Sequence, residues 1–133
     1  MRSFPLEIVT PDGLILSGEA ESLLIRTADG DVEILAGHAD FVAALSVGRA
    51  RIIMSGESEY ASVQGGFITV SDGKVKVVAT TFELAKSIDA DRARRAAEKA
   101  EELKGRAKNA RDLALAEAKL KRALNRISVS SMK

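Results

Sequence analysis

Three arginines carry the chemistry that stands out in this chain: Arg92 in "SIDADRARRA", residues 87–96, and Arg122 and Arg126 in "LKRALNRISV", residues 120–129. A guanidinium presents a rigid fork of donors that matches phosphate or carboxylate oxygens. Arg122 and Arg126 are four residues apart, so on a helix they point the same way. Arg92 falls in the first turn of a helix that starts at Asp89, where a cation meets the positive end of the helix dipole and is disfavoured. Asp89 as N-cap and Asp91 at N2 are both accounted for by helix starting; Arg92 is not. If two C-terminal helices fold back on each other, the end of the second returns toward Arg92. Three guanidiniums gathered there repel unless an anion, or carboxylates such as Glu83 and Asp89, sits among them, and a polyphosphate is the natural anion. The plainer reading of the same residues is a solvated basic face.

Other chemistries find little support. The chain has no cysteine and one histidine, His38, which removes thiolate chemistry and multi-histidine metal sites and leaves one candidate base for a catalytic triad. No GxSxG serine motif accompanies it, and His38 reads as a loop-bracing side chain. "SDGKV" has Ile68 and Val75 where a phosphate loop needs glycine and Ser/Thr, so it reads as a hairpin turn. "DGDVE" has Ile34 where a calcium loop needs glycine. Aromatic residues make up 4% of the chain, too few for a single-strand nucleic-acid platform. The longest apolar run, Phe41 to Leu45, is far below the roughly 20 residues of a membrane-spanning helix, and the N-terminus lacks an apolar signal core.

The elements that must position these residues change period partway along the chain. Up to about residue 82, short β-branched and aliphatic runs alternate with turn signals at Pro11-Asp12-Gly13, Asp29-Gly30 and Asp72-Gly73, the spacing of an all-β sandwich with nine or ten strands. In "KVKVVAT", Val75, Val77 and Ala79 alternate with Lys74, Lys76 and Val78, which predicts one face on a core and one largely in water. Gly65-Gly66 predicts a bulge or a close approach of strands. From Asp89 the period is helical. Ala93, Ala96, Ala97, Ala100 and Leu103 form one stripe, and Leu113, Ala116, Leu120, Leu124 and Ile127 a second, with Gly105 as the cap between them. The tail "SVSSMK" has no period and is expected to fray. The predicted domains are a sandwich over 1–86 and an antiparallel helical hairpin over 87–133.

Charge divides the same way. Residues 1–86 carry seven Lys/Arg against twelve Asp/Glu, a net −5, and residues 87–133 carry thirteen against seven, a net +6. A basic segment tied to an acidic body points to self-docking or to an anionic partner. An alanine stripe buries little apolar area, so the hairpin is expected to be detachable, yet its Ala, Glu, Lys, Arg and Leu keep it helical alone.

The ordered set "VTPDG", "ADGDVEILAGHADFVAAL", "VQGGFITV", "SIDADRARRA" and "LKRALNRISV" resembles the epsilon-subunit family of the bacterial rotary (F-type) ATP synthase, from about Leu6 to Lys133. The resemblance implies a β-sandwich of about ten strands followed by a helical hairpin. It also implies a non-catalytic rotor subunit, peripheral on the cytoplasmic face of the membrane, in a complex that translocates protons or sodium ions. Its partners would be the gamma subunit, the membrane rotor c-ring through Gly37, His38, Ala39 and Asp40, and the catalytic beta and alpha subunits when the hairpin extends and inhibits ATP hydrolysis. No cofactor is required, and no nucleic acid is expected. ATP is the implied regulatory ligand of the compact state, held by the Ile-Asp-x-x-Arg-Ala motif of Ile88, Asp89, Arg92 and Ala93, with Glu83, Asp89, Arg92, Arg122 and Arg126 as nucleoside and phosphate contacts. A further phosphate arginine of such members corresponds to Lys99, which keeps the charge but loses the fork. The chain departs from the family pattern at Ala36 and Asp40, where prolines are usual and whose absence predicts a looser loop, and at Ser87, where an acid is usual. Alternatives are a structural coupling subunit without ATP sensing and a free-standing nucleotide sensor.

Overall fold

The computed structural model describes residues 2–132. Their order is β1 (Phe4–Thr10), β2 (Gly13–Ala20), β3 (Ser22–Thr27), β4 (Gly30–Leu35), β5 (Phe41–Met54), β6 (Glu57–Ser71), β7 (Lys74–Leu84), a 3₁₀ turn (Ala85–Ser87), α1 (Ala90–Gly105) and α2 (Ala110–Ser130). This is a β-sandwich followed by a two-helix hairpin. The chain separates into two compact units, Met1–Leu84 and Ala85–Lys133.

In the first unit the strands are ordered β2-β1-β7-β6-β5-β3-β4. All neighbours are antiparallel except β1 and β7, which pair in parallel from Leu6 opposite Val75 to Val9 opposite Val78. The structure has seven strands among the described residues rather than nine or ten, because "FVAAL" and "ARIIM" are one strand, as are "EYASVQG" and "FITVS". The breaks that the hydrophobic pattern shows are bends inside continuous strands. β3 pairs Ile25 with Ala50 but Thr27 with Leu45, so β5 shifts register there. Gly48 lies at that bend, and a Cβ on it would stand 2.6 Å from Arg26 Cβ. At Gly66 φ is +106°, and an added Cβ would collide with the Val78 carbonyl and stand 2.7 Å from Ala79 Cα. Only glycine allows β6 and β7 to approach so closely.

Every strand contributes to one core, with Leu6, Ile8, Leu23, Ile25, Ile34, Ile52, Ile68 and Val77 fully buried at its centre. β7 alternates as its sequence predicts: Val75, Val77 and Ala79 are buried while Lys74 and Lys76 are exposed. The turns at Gly13, Gly30 and Gly73 all have positive φ, as the short polar connections require.

In the second unit, Ala97, Ala100, Leu120 and Ala123 form the buried cluster between the helices, with Ile127 packed against it. This corrects the expected stripes. Ala96 is exposed, Leu103 is 38% exposed, and on α2 the buried row runs through Ala116, Leu120 and Ala123 while Leu124 is 51% exposed. Positions 123 and 124 both fit a helical period, and the short Ala123 allows the closer approach to α1's alanines. Gly105 is not a left-handed cap: α1 ends at Arg106 with φ −99°, its N–H shared among Glu102, Leu103 and Lys104 carbonyls. The tail is also more ordered than expected. α2 continues through Ser130, whose hydroxyl donates to the Ile127 carbonyl at 2.7 Å, and Val129 is buried. Lys133 lies outside the described residues.

Candidate functional site

The arginine cluster begins at the start of α1. Asp89 takes an extended conformation, and its carboxylate accepts the Arg92 N–H at 3.0 Å. That bond, with lesser help from the Arg95 and Arg92 charges, holds the Asp89 carboxyl below the usual carboxylate range. The Arg92 amide is therefore already bonded, and what the residue offers outward is its exposed side chain. Ile88 and Ala93 are buried. Arg94 is committed to Asp91 at 2.7 Å. Lys99 is exposed in the middle of α1.

Arg122 and Arg126 lie one turn apart on α2, both half-buried. Ala97 and Ala100 cluster with Leu120 and Ala123, so in this helical hairpin Arg126 lies toward the α1 start and Arg122 one turn closer to the tip. Arg126 already makes an interaction within the protein. Glu83 belongs to the other unit, half-buried on β7 opposite Ser62. The hairpin's own depression, about 230 Å³ between Leu103, Arg106, Asp112 and Leu115, lies toward the tip, and Arg92, Arg122 and Arg126 do not line it.

The loop Gly37–Asp40 lies between β4 and β5. His38 Nδ1 donates to the Ala39 carbonyl at 2.7 Å, and its ring meets Phe41 edge-on, centroids 5.7 Å apart. His38 is thus a loop brace. Among the described residues no group of three or more His, Asp or Glu side chains gathers as a metal site, and no helix is long and apolar enough to cross a membrane.

Sequence reading missed a second feature. Ala44 pairs with Phe67, Phe67 with Val78, Val78 with Val9, and Val9 with Leu14. Directly opposed residues share a face, so these five side chains form one row across five strands on the outside of the sandwich. Leu14 is 60% exposed, Phe67 45%, and Val42, two positions along from Ala44, 73%. The signal was present in "KVKVV", where Val78 takes an outward position that Lys74 and Lys76 occupy before it.

The chain thus has two parts, an acidic β-sandwich with an exposed apolar row and a basic helical hairpin. The same two parts are matched by two family models: the β-sandwich domain of the ATP synthase delta/epsilon chain covers residues 3–85, and its long α-helix domain covers residues 86–131. The ATP synthase epsilon chain of Bacillus cytotoxicus is 41% identical over 133 residues, all of both chains, and that of Nitratidesulfovibrio vulgaris is 41% identical over 128 residues, 96% of each. A sodium-ion-specific epsilon chain of Propionigenium modestum is 37% identical over 98% of this chain and 95% of its own. This chain belongs to the ATP synthase epsilon-chain family. Its fold also matches a chain of the Euglena gracilis mitochondrial ATP synthase with a TM-score of 0.84 at 22% identity, over 98% of this chain and 82% of the other.

Proposed function

We propose that this chain is a non-catalytic central-stalk subunit that couples the gamma subunit to the membrane c-ring and regulates ATP hydrolysis through its hairpin. The observation that carries the reading is the apolar row Ala44-Phe67-Val78-Val9-Leu14 with Val42 beside it. A contiguous exposed apolar band of this kind fits a protein partner better than it fits water, and membership of the epsilon-chain family supports gamma as that partner. The loop Gly37–Asp40 serves as the c-ring contact, and the chain sits peripherally at the cytoplasmic face of the membrane. Co-elution of the full chain with gamma tests the first step. The double variant Val42→Ser, Phe67→Ser is expected to weaken binding at least tenfold, and unchanged binding removes the row from the interface.

The regulatory part rests on the hairpin. Its basic side chains engage acidic surfaces of the catalytic beta subunits, with alpha alongside, when extended. ATP binding at Arg92, Arg122 and Arg126, helped by Glu83, Asp89 and Lys99, favours the compact state, and the ligand shifts the balance only by its preference for that state. Calorimetry of the full chain with ATP, compared with Arg126→Ala, tests this. Absence of heat at millimolar ATP would remove the sensor and leave the rotor assignment standing. Two observations favour a second reading, a coupling subunit without ATP sensing: Asp89 is already occupied as the cap of α1, and Arg126 is already engaged within the protein.

A further inference from the structure

We infer that Asp40 is a positioning residue: its carboxylate ties the loop Gly37–Asp40 to the β6–β7 turn and fixes the shape in which that loop meets its partner. The inference rests on the reading of this loop as a c-ring contact. It starts from one hydrogen bond, the Asp72 N–H to Asp40 Oδ1 at 3.1 Å, which joins residues 32 apart in sequence. β5 and β6 pair with Phe41 opposite Val70. Residue 40 therefore stands one step beyond the ladder, level with the turn that follows β6. That turn is a two-residue connection between Ser71 and Lys74, with φ of +51° at Asp72 and +76° at Gly73. Positive φ at both central positions is the type I′ pattern, which leaves the first central N–H outside the strand ladder. Asp40 supplies an acceptor for a donor that otherwise turns to water.

The rest of the loop is braced within itself. Gly37 turns the chain with φ +84°, the His38 N–H donates to the Leu35 carbonyl at 3.2 Å, and the His38 ring bonds Ala39 and meets Phe41. These contacts hold the loop's shape, and the Asp40 bond joins that shape to the neighbouring hairpin. The two connections, at residues 36–40 and 72–73, then move as one rim. A rim ordered before encounter spares the partner the entropic cost of ordering it. Asp40 thus offers a side-chain bond at a position where proline would restrain the backbone.

The test uses the full chain with Asp40→Ala, which removes the acceptor, and Asp40→Asn, which keeps an oxygen at Oδ1. Amide exchange of Asp72 reads the bond, and binding to a purified c-ring carrying the gamma subunit reads the role. Asp40→Ala is expected to speed Asp72 exchange about tenfold and weaken c-ring binding by about three- to tenfold, while Asp40→Asn stays near wild type in both. Unchanged Asp72 exchange in Asp40→Ala overturns the bond, and faster exchange with undiminished binding overturns the positioning role. A wild-type chain that gamma retains but the c-ring does not touch overturns the contact reading itself, before any variant is compared, and the positioning role falls with it.

Discussion

The two units of this chain are held together by different means. The sandwich fills its centre with large branched side chains from most of its strands: Leu6, Ile8, Ile25, Ile34, Ile52 and Ile68 are all fully buried. The hairpin buries Ala93, Ala97, Ala100, Ala116 and Ala123, and Leu120 is the large residue in its central cluster. Packing of branched side chains penalises any rearrangement, because cavities and clashes both cost free energy. An alanine seam carries less apolar area and relies on helix propensity, which persists when the seam opens. The sandwich core thus resists rearrangement, whereas the helices keep their helical tendency without the seam. That contrast agrees with the proposed role, in which the body transmits torque and the hairpin switches.

The sharpest way to break the contrast is to excavate both cores. Ile8→Ala, at a position with no solvent exposure, is expected to cost about 4 kcal/mol in urea unfolding. Leu120→Ala, in a thinner seam, is expected to cost about 2 kcal/mol, to reduce helical signal at 222 nm, and to leave the cooperative β transition in place. Equal losses spread over both units would mean that the hairpin is packed as rigidly as the sandwich.

A smaller change tests whether bends inside continuous strands hold the sandwich in shape. Gly66→Ala forces a Cβ against the Val78 carbonyl at a positive φ, and is expected to cost about 2–3 kcal/mol. Gly105→Ala meets no neighbouring atoms and no strained φ, and is expected to stabilise α1 by up to about 1 kcal/mol. Thermal unfolding of the two variants reads the difference directly, and a harmless Gly66→Ala would show that β6 and β7 can separate freely there.

These glycines also explain what could be read without the fold. The alternation in β7, the Asp72-Gly73 turn and the Asp89 cap are local, and each was legible because neighbours in sequence dictate it. The strand count was not, because a bend near Gly48 or Gly66 interrupts the hydrophobic pattern as a turn would, and only pairing across strands shows that β5 and β6 continue. The row through Phe67 and Val78 was hidden for the same reason: its members are adjacent through register, which no single segment contains. On α2, Leu124 and Ala123 both fit the helical period, and the facing alanines of α1 decide between them. The arginines were legible as charges, while the engagement of Arg126 depends on folded geometry.

The subtlest expected difference lies between the two helix starts within the hairpin. α1 is capped by the Asp89 carboxylate and α2 by Asn109, whose side-chain oxygen accepts the Asp112 N–H at 2.8 Å. Asn109 does not titrate. The Asp89 carboxyl is held below its ordinary range by the Arg92 N–H, so its contribution is present above about pH 4, the region of an unperturbed carboxyl, and fades as pH falls through the lower folded value. Acidification should therefore loosen the start of α1 before that of α2. Site-resolved amide shifts and temperature coefficients of Arg92 and Asp112 between pH 6 and pH 2 read the two caps separately. The Arg92 amide is expected to lose protection while Asp112 changes less, and Asp89→Asn is expected to flatten the Arg92 response while keeping a cap. A parallel response at both amides would locate the acid sensitivity in the hairpin seam, and would make the start of α1 no more separable than the rest of the helix.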